Sequence, residues 1–193
     1  MRTRMNAFRL LAILALALAA WTMTIVTRAT TLERMSLERL AQSAQIIVRA
    51  QCLENSTAWD AGEIWSHTTF EVQEAWKGSA PEQITVRLLG GRAGNVTSTV
   101  TGIPRFRRGE QVVLFLEGTS RGGLSVVSWQ QGAFRIHRDA FTDRETVTQD
   151  TASFPTFDPV TRRFEASGIR KMPLENFRAQ VDAALRGGMR RKP

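Results

Sequence analysis

Gln111-Val112-Val113-Leu114-Phe115-Leu116 places five apolar residues in a row behind a single polar one. A run of this length, rich in Val and Phe and with no polar position on either face, predicts a strand buried on both sides. Such a strand lies in the middle of a sheet and is covered from above and below.

Upstream, the pattern has a period of two. Ile46, Val48, Ala50 and Cys52 alternate with Ile47, Arg49, Gln51 and Leu53, which predicts a strand with one apolar face. Trp59-Asp60-Ala61-Gly62-Glu63-Ile64-Trp65 supplies a hairpin tip, with Asp and Gly at turn positions. The returning strand is Thr68–Lys77. Phe70 and Val72 face inward, and strict alternation would then bury Glu74, so a β-bulge is expected there. Gly78–Pro81 turns the chain into a third strand marked by Ile84, Val86 and Leu88. Downstream, Gly118–Gly123 leads into Leu124–Trp129, and Gly132 begins a short strand, Ala133–His137. The expected fold is mainly β: five or six antiparallel strands in a partly closed barrel, with a helix at each end.

The first helix spans Thr30 to Ala44, where Leu32, Met35, Leu37, Leu40 and Ala41 recur at helical spacing. Alternatively, Ser36 is an N-cap and the helix begins at Leu37. The last helix opens at Pro173 and carries Leu174, Phe177, Val181, Ala184 and Leu185 on one face, with Gly187-Gly188 expected to stop it. Between them, 139–172 is weakly patterned except for a small hairpin over 157–164 around Asp158-Pro159.

Arg2, Arg4 and Arg9 precede the apolar stretch Leu10–Ala20, and no acidic residue occurs before Glu33. This is the pattern of a secretory signal peptide, expected over 1–29 with cleavage after Ala29. The alternative is an uncleaved membrane anchor over 10–26. The expected organisation is a signal peptide (1–29), one domain (30–185) and a disordered basic tail (186–193), in a periplasmic or extracellular protein. The formal charge of +8 is concentrated at the ends. Without four leader arginines and four basic residues from Arg186 onward, 18 Lys and Arg face 18 Asp and Glu. The net charge is therefore no sign of a nucleic-acid surface on the domain. The single cysteine, Cys52, excludes an internal disulfide.

The order of segments carries a resemblance. It consists of Ala44-Gln45-Ile46-Ile47-Val48-Arg49-Ala50, the Trp-Asp hairpin, Phe70-Glu71-Val72-Gln73-Glu74-Ala75-Trp76-Lys77-Gly78, Gly90–Gly94, Pro104–Glu110 and Val112–Leu116. Over roughly Thr30 to Arg138 the chain resembles a group of uncharacterised exported bacterial proteins. More distantly it is similar to the netrin-type or metalloproteinase-inhibitor-type OB barrel, which implies that fold. The inhibitor-type domains use a cysteine at the mature N-terminus to coordinate the target enzyme's metal. None stands there in this chain, so that mechanism is not implied.

Gly118-Thr119-Ser120-Arg121-Gly122 matches the nucleophile-elbow pattern, but that chemistry requires a strand-to-helix turn. Here the motif separates two strand-like runs and reads as a hairpin turn. His67, His137 and Cys52 lack the close spacing of zinc ligands, so no metal is expected, and Cys52 reads as a buried, inert thiol. Glu71 and Glu74 read as surface carboxylates. Gly90–Gly94 lacks the Lys-Ser/Thr of a phosphate loop and reads as a flexible crossing between strands. No catalytic residue and no cofactor is expected. The binding suspects are Arg92, Arg105, Phe106 and Arg107 on the long loop 90–109, and Trp59 and Trp65 on the hairpin. Arginine interleaved with an aromatic residue suits phosphate contacts and base stacking, but 107–110 reads more simply as an ordinary solvated turn before a buried strand, with Phe106 anchoring the loop. Indoles at a hairpin tip suit a protein partner or cross-strand packing. The expected function is an exported, non-enzymatic binding module with a protein partner. Nucleic-acid or glycan binding through loop 90–109 is the alternative, and a hydrolase using Ser120 or a carboxylate is the third and least favoured.

Overall fold

The computed structural model describes residues 32–120, 122–153 and 155–189. The leader expected over 1–29 and the last residues of the expected tail, 190–193, lie outside the described residues.

The long strands β1 (Ile46–Asp60), β2 (Glu63–Lys77) and β3 (Gln83–Leu89) come first, followed by a small hairpin of β4 (Gly91–Ala93) and β5 (Val96–Ser98). Then come β6 (Gln111–Gly118), β7 (Leu124–Val126), β8 (Ala133–Arg138) and β9 (Glu145–Gln149). A second small hairpin, β10 (Pro155–Asp158) and β11 (Arg163–Ala166), leads to β12 (Met172–Pro173). Helix α1 (Leu37–Ser43) precedes the strands and α2 (Leu174–Met189) follows them.

Eight strands form one sheet in the order β1-β2-β3-β7-β6-β8-β9-β12, and β1 also pairs with β6. That second pairing closes a ring through β1, β2, β3, β7 and β6. Every pair in the ring is antiparallel except β3 with β7, which meet in parallel at Val86 and Leu124. Beyond the ring, β8 continues from β6 and carries β9 and β12.

β6 is central, as its two apolar faces require. Val112, Leu114 and Leu116 point into the ring with Val48, Ala50, Phe70, Ile84 and Val86. Val113 and Phe115 point the other way, into a second core with Leu40, Ile47, Phe134, Phe177 and Val181. There the Phe134 and Phe177 rings sit 4.7 Å apart, and Phe115 is 5.1 Å from Phe134. Each such side chain contributes about 1.5–3 kcal/mol by leaving water, so one strand anchors both layers.

The β1–β2 pair carries the expected bulge and two more, the third of the set leaving Leu53 extra between Cys52, opposite Phe70, and Glu54, opposite Thr69. Ala50 opposes Val72 while Arg49 opposes Glu74, which leaves Gln73 extra. Val48 opposes Ala75 while Ile47 opposes Lys77, which leaves Trp76 extra. The first bulge turns Glu74 out of the core toward Arg49. The second turns Trp76 toward α2, where its ring lies 6.0 Å from that of Phe177.

Trp76-Lys77-Gly78 has a structural role throughout. Lys77 Nζ donates to the carbonyls of Ala41 (2.8 Å) and Ala44, closing the C-terminal end of α1. Gly78 has φ +72°, and a Cβ there would lie 2.7 Å from the Gln45 carbonyl oxygen, so no side chain fits.

Ser36 is the N-cap of α1, its hydroxyl accepting from the Arg39 amide at 3.2 Å. The helix therefore begins at Leu37, and 32–36 is not helical: Glu33 instead forms a bridge with Phe157. At the other end, α2 does not stop at Gly187-Gly188 but runs to Met189. Gly188 packs beside α1, where a Cβ would come 3.2 Å from the Gln42 Cγ. That close approach of the two helices stabilises a turn that glycine alone disfavours. β9 was not legible in 139–172 because Glu145-Thr146-Val147-Thr148-Gln149 holds a single apolar residue.

Candidate functional site

Three features on the ring carry the charged and aromatic side chains singled out above: the connection from β3 to β6, the far half of the β1–β2 hairpin, and the outer face of β2 and β3.

The connection 90–109 is a strap packed at Ile103, Pro104 and Phe106, and Gly90–Gly94, expected to be a flexible crossing, leads into the paired β4 and β5. Phe106 is 6 % exposed and meets Phe70 edge-to-face at 5.0 Å, with Ile103 buried beside it. Its ring therefore presents no free face to a ligand. Arg105 donates from Nη1 to Ser66 Oγ (2.7 Å) and to the Gly90 carbonyl (3.0 Å), and from Nη2 to the Leu89 carbonyl (3.2 Å). Burial pushes its guanidinium below the ordinary arginine value. Gly90 has φ +85°, and a Cβ there would sit 2.5 Å from Arg105 Nη2. The lock between Arg105 and the end of β3 thus depends on glycine at that position.

The strap is also held from β8. Arg135 donates from Nε to Asp150 Oδ1 (2.6 Å) and from Nη2 to Asp150 Oδ2 (2.9 Å). It also reaches Glu110 and, at 2.6 Å, the Arg105 carbonyl, and its guanidinium lies 5.5 Å from the Phe106 ring centroid. Burial opposes the Arg135 charge, but Asp150 and Glu110 outweigh it and hold the guanidinium above its ordinary value. All four strap arginines, Arg92, Arg105, Arg107 and Arg108, are exposed, and Arg105 differs in that its guanidinium is tied to Ser66, Leu89 and Gly90. Arg92 Nε donates to the Gly94 carbonyl at 3.3 Å, and the Arg92 carbonyl accepts from the Thr57 hydroxyl. The strap therefore brings Arg92 against the hairpin, whereas Arg105 and Phe106 serve the fold.

The hairpin projects beyond the ring. β6 accompanies β1 only from Ile46 to Gln51, while the β1–β2 pairing continues to Asp60 and Glu63. All seven residues from Glu54 to Asp60 are exposed. Trp59 opposes Ile64 and is 55 % exposed, while Trp65 opposes Ala58. This register puts the two indoles on opposite faces of the hairpin, so they do not stack across it.

Trp65 shares its face with His67 and with Arg87 of the neighbouring strand. The Arg87 guanidinium carbon lies 4.0 Å from the Trp65 ring centroid, and Arg87 also pairs with Asp60. Trp65 and Arg87 line a cavity of about 270 Å³ with Leu89, Ile103, Ser120 and Trp129. Arg87 was the site residue least visible in the sequence, where it reads simply as the polar member between Val86 and Leu88.

Ser120 lies in the turn between β6 and β7, where the Thr119 amide donates to the Gly123 carbonyl at 3.0 Å. The next element is strand β7 rather than a helix, in keeping with a hairpin turn. Cys52 is buried, and burial pushes its thiol above the ordinary value. Among the described residues no group of three or more His, Cys, Asp and Glu is placed to hold a metal ion. Among them, too, no helix is long and apolar enough to cross a membrane. No family model and no curated protein matches the chain.

Proposed function

We propose that the chain is an exported, non-enzymatic binding module built on an OB/netrin-type barrel, and that it engages another protein through the projecting β1–β2 hairpin. The barrel reading is supported by the closed ring of five strands and by the way β1 serves two neighbours within it. Export rests on the basic and apolar pattern of residues 1–29.

The exposed run Glu54–Asp60 carries the protein-binding reading. No strand accompanies this half of β1 on the edge away from β2 among the described residues, and a half-exposed indole stands at its tip. An open strand edge offers main-chain hydrogen bonds to an extended partner segment, and a nearby indole offers an anchor. Nucleic-acid or glycan binding through 90–109 has less support, because Arg105 and Phe106 are engaged within the fold. The hydrolase reading, on Ser120 or a carboxylate, has less support, since no His, Asp or Glu is among the described residues that line the cavity beside Ser120.

The test is capture from the exported fraction at low and at high salt, using the wild-type chain and Trp59→Ala. A protein retained at both salts by the wild type and lost in the variant supports the proposal. Retention of only nucleic acid or polysaccharide, at low salt alone and abolished by Arg92→Ala with Arg107→Ala, overturns it in favour of the strap.

A further inference from the structure

Among the described residues two buried side-chain donors have no hydrogen-bond partner, the indole Nε1 of Trp65 and the Nε of Arg87. Both belong to residues that line the same cavity and that stack on one another. Leaving a buried N–H unpaired is costly, and buried polar groups are otherwise almost always satisfied. Both atoms are sealed from solvent in this arrangement, so an acceptor in the adjoining cavity reaches them when the Arg87–Trp65 stack parts.

The remaining walls define what brings it. Leu88, Leu89, Ile103 and Trp129 are apolar or aromatic, and Thr119, Ser120 and Ser125 add hydroxyls. Arg87 is the one charged residue among the described lining residues. Asp60 engages Arg87 through Nη2 and leaves its Nε unpaired. A volume of about 270 Å³ is at the small end of ligand cavities, which begin near 300 Å³. We propose that this cavity binds the carboxylate of a small apolar or aromatic acid, the Arg87–Trp65 stack parting so that Trp65 Nε1–H and Arg87 Nε–H donate to the carboxylate oxygens while Trp129 and Leu89 pack on the apolar body. The acid is either a free small molecule or the C-terminal residue of a peptide, since both present the same group.

The site is on the opposite face of the hairpin from Trp59, so it stands independently of the protein-binding surface above. The experiment follows the Trp65 indole N–H by ¹⁵N NMR in the full chain, assigned through Trp65→Phe. Phenylacetate is the free-acid probe, a short peptide ending in Phe with a free carboxylate is the peptide probe, and phenethylamine is the control without an acceptor. The expected result is a saturable downfield shift of the Trp65 signal with at least one acid and none with phenethylamine. Trp65→Phe keeps an aromatic ring but removes the donor, its binding being read from the indole N–H of Trp129 on the same cavity. Arg87→Lys keeps the charge but removes the Nε–H. Each is expected to weaken binding about tenfold or more, as lost hydrogen bonds to a charged group do. Saturation by phenylacetate assigns a small-molecule site, and saturation by the peptide alone assigns a C-terminus. The proposal is overturned if neither acid shifts the signal, if phenethylamine shifts it equally, or if both variants bind like the wild type.

Discussion

Arg135 on β8 grips Asp150 through two parallel hydrogen bonds of 2.6 and 2.9 Å while its third nitrogen reaches Glu110 at the end of the strap. The pair is partly buried, with side-chain exposures of 24 % and 11 %. Removing one partner leaves the other charge poorly solvated, so Arg135→Met is expected to cost about 3 kcal/mol. Asp150→Asn retains an acceptor and is expected to cost less. Urea denaturation of the two variants checks the order, and equal midpoints would contradict the clasp.

Phe106 and Arg107 are neighbours in sequence with opposite environments. Phe106→Ala opens a cavity inside the ring and is expected to cost about 3–5 kcal/mol. Arg107→Ala changes an exposed side chain and is expected to stay within about 0.5 kcal/mol. Thermal unfolding of both variants distinguishes a packed strap from a loose one, in which the two losses would be similar.

Glu74 gives the stability a definite pH dependence. Its hydrogen bond from Arg178, assisted by one from Trp76, holds the carboxyl below the ordinary value against the effect of burial. The folded chain therefore binds fewer protons here than the unfolded chain as pH falls through the ordinary carboxylate range. The contribution is fully present above that range and disappears as pH falls through the lowered folded value. Glu74→Gln is expected to lessen the loss of stability in acid. The side chains of Arg178 and Glu74 are 43 % and 40 % exposed, so solvent screening keeps the effect at neutral pH below about 1 kcal/mol. Denaturation midpoints measured from pH 7 down to pH 3 test this, and parallel curves for wild type and variant would refute it.

Cys52 is 1 % exposed, and its thiol is pushed upward by burial. A thiol reagent is expected to label it in denaturant and to leave it nearly untouched in the native protein at pH 8. Rapid labelling of the native chain would show that the β1 segment opens around it.

Much of the scaffold was legible. Val112–Leu116 announced a strand with two covered faces, and alternation located β1, β2 and β3, because a period of two survives wherever one face meets a core. The bulge near Glu74 was legible for the same reason, since a carboxylate at an inward position forces the register to break. The small hairpin at 157–164 was visible in its Asp-Pro turn. β9 escaped because its residues are polar and its place at the margin of the sheet demands only one buried side chain, Val147. Arg105 and Phe106 read as candidates for a ligand, since no local pattern distinguishes a guanidinium that will meet solvent from one that will meet three main-chain carbonyl and hydroxyl oxygens.

By itself, then, the sequence determined the class of the fold, the central strand, the hairpin turns and the absence of an internal disulfide, because each depends on residues close together in the chain. The tertiary structure alone decided that the strands close into a ring, that Arg135 joins β8 to Asp150 and Glu110, and that the strap is packed. It also decided that Trp59 and Trp65 face apart and that Trp65 and Arg87 share a cavity with unpaired donors. Apart from the two indoles, which the hairpin register sets, these relationships join residues fifteen or more positions apart, and their energies come from burial and charge pairing that exist only once the chain has folded.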